Sequence, residues 1–327
     1  MFKSSASIAP RAAVLAAVLL ISSACARMGE APAAFIPEPA AYQAISRLGD
    51  TLRNFPLSEA ARTRYLAQLD TAEQAYRHTP VNMDSLIWYG RRLGYLGRLQ
   101  EAIAVYSHGL TTEPDNAWLL RHRGHRYLSV REFDKAVADF TRADSLTAGK
   151  PDEVEPDGQP NAQNTPIGTL QSNIRYHLAL GHYLRGDYDK AAEVAQGEVT
   201  NANNDDRRVS MTHWLYQSLR RAGKHEEAKK ALDGVSANMQ IIENTNYHKL
   251  VQLYKGLLPV DSVLPPATNG ELSVGDVSSA YGVAAWMQAE GKTAEATELM
   301  KRIVASGQWG AFGFIAAEAD LARASKQ

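Results

Sequence analysis

The sequence predicts an all-α solenoid of stacked helical hairpins, and three observations carry that prediction. Small and aromatic residues recur at an interval of 34: Gly90 and Gly124, Ala102 and Ala136, Tyr106 and Phe140. That interval is the period of a two-helix repeat. Apolar residues between these marks stand three and four apart, as an amphipathic helix requires. Glycine and proline punctuate the segment ends, where the chain needs a left-handed turn or a stop. Such a unit cannot bury its apolar face alone, so copies stack and leave a long concave surface.

The first hairpin runs from Met83 to Asn116. Leu86, Tyr89, Gly90 and Leu93 form the stripe of its first helix, Gly97 makes the turn, and Leu99, Ala102, Tyr106 and Leu110 mark a second helix that Pro114 stops. Small residues at Gly90 and Ala102 let the two helices approach, while the large residues fill the space between them. The copy from Ala117 to Lys150 keeps Gly124, Tyr127, Phe133, Ala136, Phe140 and Ala143, with Arg131 in the place of the turn glycine. A third copy, 169–199, carries Ala179, Gly186, Tyr188 and Ala191, with Ala195 replacing the aromatic. A fourth, 207–235, carries Leu215, Gly223 and Ala228, with bulky Tyr216 where a small residue is usual.

The last copy, 280–304, has Ala284, Gly291, Ala296 and Met300, and Ala296 lies two periods beyond Ala228. That spacing leaves room for one eroded repeat at about 243–276. NYHKLVQLYKG supplies its first helix, but Pro259, Pro265 and Pro266 deny a regular partner, so Leu257 to Leu272 is expected as a loop. The final WGAFGFIAAEADLARA is apolar at helical spacing and is expected to cap the array.

These residues resemble the tetratricopeptide repeat (TPR) family, whose pattern pairs a small residue in the first helix with an alanine and an aromatic in the second, then a proline. The resemblance covers Met83 to Ala324 and implies a TPR-type α-solenoid over 83–327. It further implies that first-helix positions line the concave groove. Carried onto this chain, those are Arg91 and Tyr95 in the first repeat, then Trp118, Arg121 and His125 in the second. Tyr176 follows from the third, with His213, Gln217 and Arg220 from the fourth. Such a groove is aromatic and mildly basic, and suits an extended peptide or a carboxylate-bearing segment. The same aromatics also serve to pack adjacent first helices together.

Ahead of the repeats, Lys3 and Arg11 precede an unbroken apolar run, Ala12 to Ile21, followed by SSACA. Residues 1–24 therefore read as an export signal, and the run is about half the length a helix needs to cross a bilayer. Cys25 is the sole cysteine, and ISSAC resembles a bacterial lipobox, although Ser22 stands where leucine is usual. The resemblance implies acylation of Cys25 and a lipid anchor on the membrane. Cleavage after Ala26 is the other route and would release an unanchored protein. Residues 25–42, rich in alanine and proline, read as a linker, and 43–82 as N-terminal helices or a degenerate repeat. In that last stretch Tyr65, Leu66, Leu69 and Ala72 lie on one side of an amphipathic segment from Ser58 to Arg77.

Composition fits one extended domain of 327 residues, 45% hydrophobic. Formal charge is −1, and losing Lys3 and Arg11 with the signal takes it to −3, so nothing points to nucleic acid. His122 and His125 stand one turn apart, with His177 and His213 on neighbouring repeats, yet no H-E-x-x-H or C-x-x-C pattern occurs. No metal or cofactor is expected. With neither a G-x-S-x-G elbow nor a phosphate-binding loop, no enzyme is expected.

One segment interrupts the array. Residues 148–168 insert between two repeats and carry Asp152, Glu153, Glu155 and Asp157, without the order of a calcium loop. Their composition predicts a mobile, solvated loop; if ordered, it would fold over one groove edge and help select the partner.

The expected function is a non-enzymatic protein-interaction scaffold or adaptor of the bacterial cell envelope. Its expected place is the outer membrane, facing the periplasm, or else free in the periplasm. The rival is a small-molecule or sugar-binding envelope receptor, which a groove of pooled aromatics closed by the 148–168 loop would favour. An open, long groove would favour a peptide.

Overall fold

A repeated steric contact builds the fold. A Cβ placed on Gly90 would lie 2.5 Å from the Tyr106 ring, and one on Gly124 would lie 2.9 Å from the Phe140 ring. The glycine is thus the seat of the next helix's aromatic, and the 34-residue interval is the interval between two copies of this seat. Ala102, Ala136, Ala191 and Ala228 are all fully buried at the corresponding helix crossing. In the computed structural model, which describes Met1, 33–264, Leu272 and 274–325, this unit recurs along an all-α solenoid of helical hairpins.

The described chain from Ala33 onward begins with extended backbone and two short antiparallel strands, β1 (Ala44–Ile45) and β2 (Thr51–Leu52). Gly49, at φ 98°, turns between them. Helix α1 (Glu59–His78), capped by the Ser58 side chain, follows. The hairpins are then α2 (Met83–Tyr95) with α3 (Leu99–Thr112), and α4 (Ala117–Ser129) with α5 (Phe133–Thr147). Next come α6 (Leu170–Arg185) with α7 (Tyr188–Asn201), and α8 (Asp205–Arg221) with the short α9 (His225–Ala231). After α10 (Thr245–Tyr254) and the single turn α11 (Val260–Val263), the array resumes with α12 (Val274–Ala289) and α13 (Thr293–Ala305), and α14 (Phe312–Ala324) closes it. Asn82, Asn116, Thr169 and Asn204 cap the first helices of four hairpins through their side chains.

Four hairpin turns use glycine at positive φ: Gly97, Gly186, Gly223 and Gly291. The fifth uses Arg131 at φ 68°, a conformation that costs an L-residue of order 1 kcal/mol. Its side chain explains the exception. The guanidinium runs into the core, 2.7 Å from Glu318 of α14, and donates to the carbonyls of Ser129 and Trp309.

Several expectations need correction. Residues 43–57 are not helical: the β1–β2 turn replaces the expected first N-terminal helix, because Ser46 and Asp50 close a tight turn around Gly49. Residues 33–42 are no free linker, since the Phe35 amide donates to Tyr76 and its ring stacks on His108 at 4.7 Å. On α1, Tyr65 and Leu69 are buried but Leu66 is exposed, and Tyr76 completes the stripe. The proline-rich region after α10 is not wholly loop, for Val260–Val263 forms a helical turn with Val263 buried. The export segment and Cys25 lie outside the described residues, as do 265–271.

Candidate binding site on the inner face

The first helices α2, α4, α6 and α8 present one continuous inner face, and the chain itself covers it. Of the two alternatives left by the sequence, an open groove or one closed by the insertion, the structure has the closed one, and the expectation of a mobile insertion is corrected with it. Residues 152–159 lie against α2 and α4. Arg91 donates to the Pro156 carbonyl at 2.9 Å, and Arg92 to the Gly158 carbonyl at 3.0 Å. Arg121 pairs with Glu155 at 2.9 Å, and Asn173 Nδ2 donates to the same carboxylate at 2.8 Å. Tyr65 donates to Gln159 at 2.8 Å. Gly158 sits on the Tyr95 hydroxyl so closely that any Cβ there would collide with it. The insertion's own edges are pinned by an isolated bridge between Val154 and Thr169. The reason is charge: an acidic segment lies on a face rich in guanidinium groups.

Glu155 is therefore buried at 5% exposure, and Arg121 at 6%. Beneath them Arg126 and His122 are buried as well. Burial first, and the neighbouring arginines second, push the His122 imidazole well below its ordinary range. The same causes act on His125 and His177. Burial also lowers Arg126, whose Nε finds no hydrogen-bond partner.

Farther along, helices replace the loop as the cover. His125 and His177 lie 4.6 Å apart, and both rings pack on Phe312 of α14. Tyr176 and Tyr247 of α10 share a hydrogen bond of 2.8 Å, and the Trp214 indole donates to the Tyr176 hydroxyl at 3.2 Å. The Tyr254 hydroxyl accepts from Gln217 at 2.9 Å and lies 2.9 Å from His213 Nδ1. With no charge nearby, burial alone pushes His213 down to about 3. Arg220 reaches the last turn of α12, pairing with Glu290 at 2.8 Å. Tyr183 and Tyr281 meet at 2.6 Å, and Tyr281 donates to Asp320 of α14.

The residues singled out from the sequence thus share one face but not one function. Arg91, Tyr95 and Arg121 meet the insertion; His125 meets α14; Tyr176, His213 and Gln217 meet α10; Arg220 meets the end of α12. Trp118 stands apart, half-buried and stacked on His122 at 6.4 Å, beside an open cleft near Pro114. Among the described residues, no group of three or more His, Cys, Asp or Glu side chains could hold a metal ion.

Sequence reasoning missed Tyr247 and Tyr254, although their seven-residue spacing puts them on one helical face. It also missed Glu198, Arg207 and Asp206. Buried Asp206 accepts from the amides of Ile242, Glu243 and Asn244 and so holds the start of α10 in place. No local signal marks that long-range contact.

No family model matches this chain, and neither does any curated protein. Solved structures do. MamA of AMB-1 is 21% identical over 53% of this chain and 90% of its own, with a TM-score of 0.38. YrrB, described as a TPR protein with an unusual peptide-binding site, is 13% identical over 73% of this chain and 93% of its own, with a TM-score of 0.41. These values transfer neither residues nor partners.

Proposed function

We propose that the chain is a non-enzymatic interaction scaffold or adaptor of the bacterial cell envelope, whose inner face takes an acidic peptide segment of a partner protein. One observation carries the reading: residues 152–159 already occupy that face as such a segment, with Arg121 on a carboxylate and Arg91 and Arg92 on main-chain carbonyls. A partner would compete with the insertion for the same guanidinium groups. Export and anchoring rest on Lys3, Arg11, the Ala12 to Ile21 run and the lipobox-like ISSAC. No described helix is long and apolar enough to cross a membrane, so Cys25 acylation would supply the anchor, two or more chains holding firmly where one does not.

The test replaces residues 152–162 with a glycine–serine linker and titrates a labelled peptide of sequence PDEVEPDGQP. Saturable binding to the replaced chain, weakened at least ten-fold by Arg91→Glu with Arg121→Glu, is expected. The parent chain should bind it far more weakly. No binding to the linker variant would end the peptide reading.

A second reading, the small-ligand envelope receptor, is favoured by the closure of the inner face. The insertion and α10 leave a half-open pocket between them, lined by polar and apolar groups alike.

A further inference from the structure

A cavity of about 210 Å³ lies between α6 and α8, roofed by the insertion and the start of α10. Three carboxylates line it: Asp157 from the insertion, Glu198 from α7 and Glu243 just ahead of α10. Of its two basic side chains, burial holds His177 well below its ordinary range and Arg207 is already engaged. Arg207 Nε donates to Glu198 Oε1 at 3.1 Å, and its Nη1 donates to Asn203 at 2.9 Å.

The acceptors are not all filled. Glu198 is 1% exposed, yet its Oε2 accepts no hydrogen bond, and the nearest further cation, Arg175, stands 3.9 Å away. Asp157 Oδ2 is likewise buried without a donor. Glu243, exposed to solvent at the rim, receives one amide donor, from Asn161. Burial raises the Asp157 carboxyl, while burial together with the charge of Asp157 raises Glu243. Buried polar groups in folded proteins find partners almost without exception, and each unmet one costs about 1–3 kcal/mol. Acid is in excess here, so the missing group is a donor with positive charge and no acceptor of its own.

An ammonium group has three donors and no acceptor. The wall also offers the rings of Tyr176 and Tyr247, whose faces attract a cation. At about 30 Å³ per water the cavity holds roughly seven waters, which suits a short alkyl chain and excludes a folded peptide segment. We propose that this cavity binds a primary alkylammonium group, carried by a small free amine or by a lysine side chain of a partner. The proposal rests on the receptor reading, and because the insertion supplies Asp157 to the wall it concerns the chain with the insertion seated.

The experiment is calorimetric titration of the full chain with putrescine and with the tripeptide Gly-Lys-Gly, beside succinate and xylose. One-site binding of either amine is expected, and which of the two binds tells the free source from the side-chain source. Affinity should fall at least ten-fold in Asp157→Asn and in Glu243→Gln. Both changes lie at the rim, so folding survives even where Glu198→Gln does not. Silence from both amines overturns the proposal, as does unchanged affinity in the two rim variants. Binding of succinate or xylose alone overturns it while leaving a receptor; silence from all four removes the receptor reading as well.

Discussion

The inner faces of α4 and α8 occupy equivalent places in the array but are covered by different material. Over α4 lies a loop held by charge, through Arg121 on Glu155 and Arg91 on a carbonyl. Over α8 lie α10 and α12, held by rings and hydroxyls, with Tyr216 stacked on Tyr254 at 4.4 Å and Gln217 bonded to Tyr254. A charged cover that leaves regains the hydration of its groups, which offsets part of the pairing it loses. An apolar cover has no such offset, because its rings would be stripped of their burial. The difference teaches that one end of the inner face is closed by charge and main-chain pairing and the other by apolar packing.

Two buried arginine–glutamate pairs make this comparison breakable. Glu318 is fully buried on α14, and its partner Arg131 is bound by a strained backbone and by carbonyls. Glu318→Ala strands a buried guanidinium with no route to solvent, so a loss of about 3–5 kcal/mol is expected in urea denaturation. A loss below about 1 kcal/mol would make the helical cover as displaceable as the loop.

The histidines give the next effect. Burial lowers His122, His125, His177 and His213, the last to about 3. Above their ordinary value of about 6.5 both states are neutral and stability is unaffected. Below it the unfolded chain takes protons that the folded chain refuses, so stability falls as the pH drops from about 6.5 toward 3. The slope reaches about 1.4 kcal/mol per pH unit for each histidine. Denaturation midpoints measured at pH 7 and pH 5.5 check this; a flat profile would mean that these rings are hydrated.

Glu155→Ala should have the smallest effect, about 1–3 kcal/mol, since Arg121 loses a buried partner but the insertion can lift and admit water. Hydrogen exchange should nonetheless quicken at the amides of Glu155 and Leu170, which bond across the loop base. A loss as large as that of Glu318→Ala would show the insertion to be core.

Much of this was readable from spacing. Gly90, Gly124, Ala102, Ala136, Tyr106 and Phe140 are local marks of one helix crossing another, and each hairpin forms from neighbours in the chain. Even Arg131 stood in the turn position, although its reason, a glutamate 187 residues away, did not show. The insertion was misread because composition reports solubility and not complementarity: Glu155 is hydrophilic in any sequence, and becomes buried only where Arg121 and Asn173 await it. The inner-face positions were legible as a register, but their partners on α10 and α14 were not.

By itself, then, the amino-acid sequence determined the repeat, its helices and which side chains face inward, because those follow from periodicity and from steric seats within about 34 residues. Only the tertiary structure decided that the inner face is closed, and that loop charge covers one end and aromatic helices the other. It also decided that carboxylates from three distant segments share one cavity. Those outcomes depend on contacts between elements far apart in the chain, whose energies come from desolvation and charge pairing that no local pattern records.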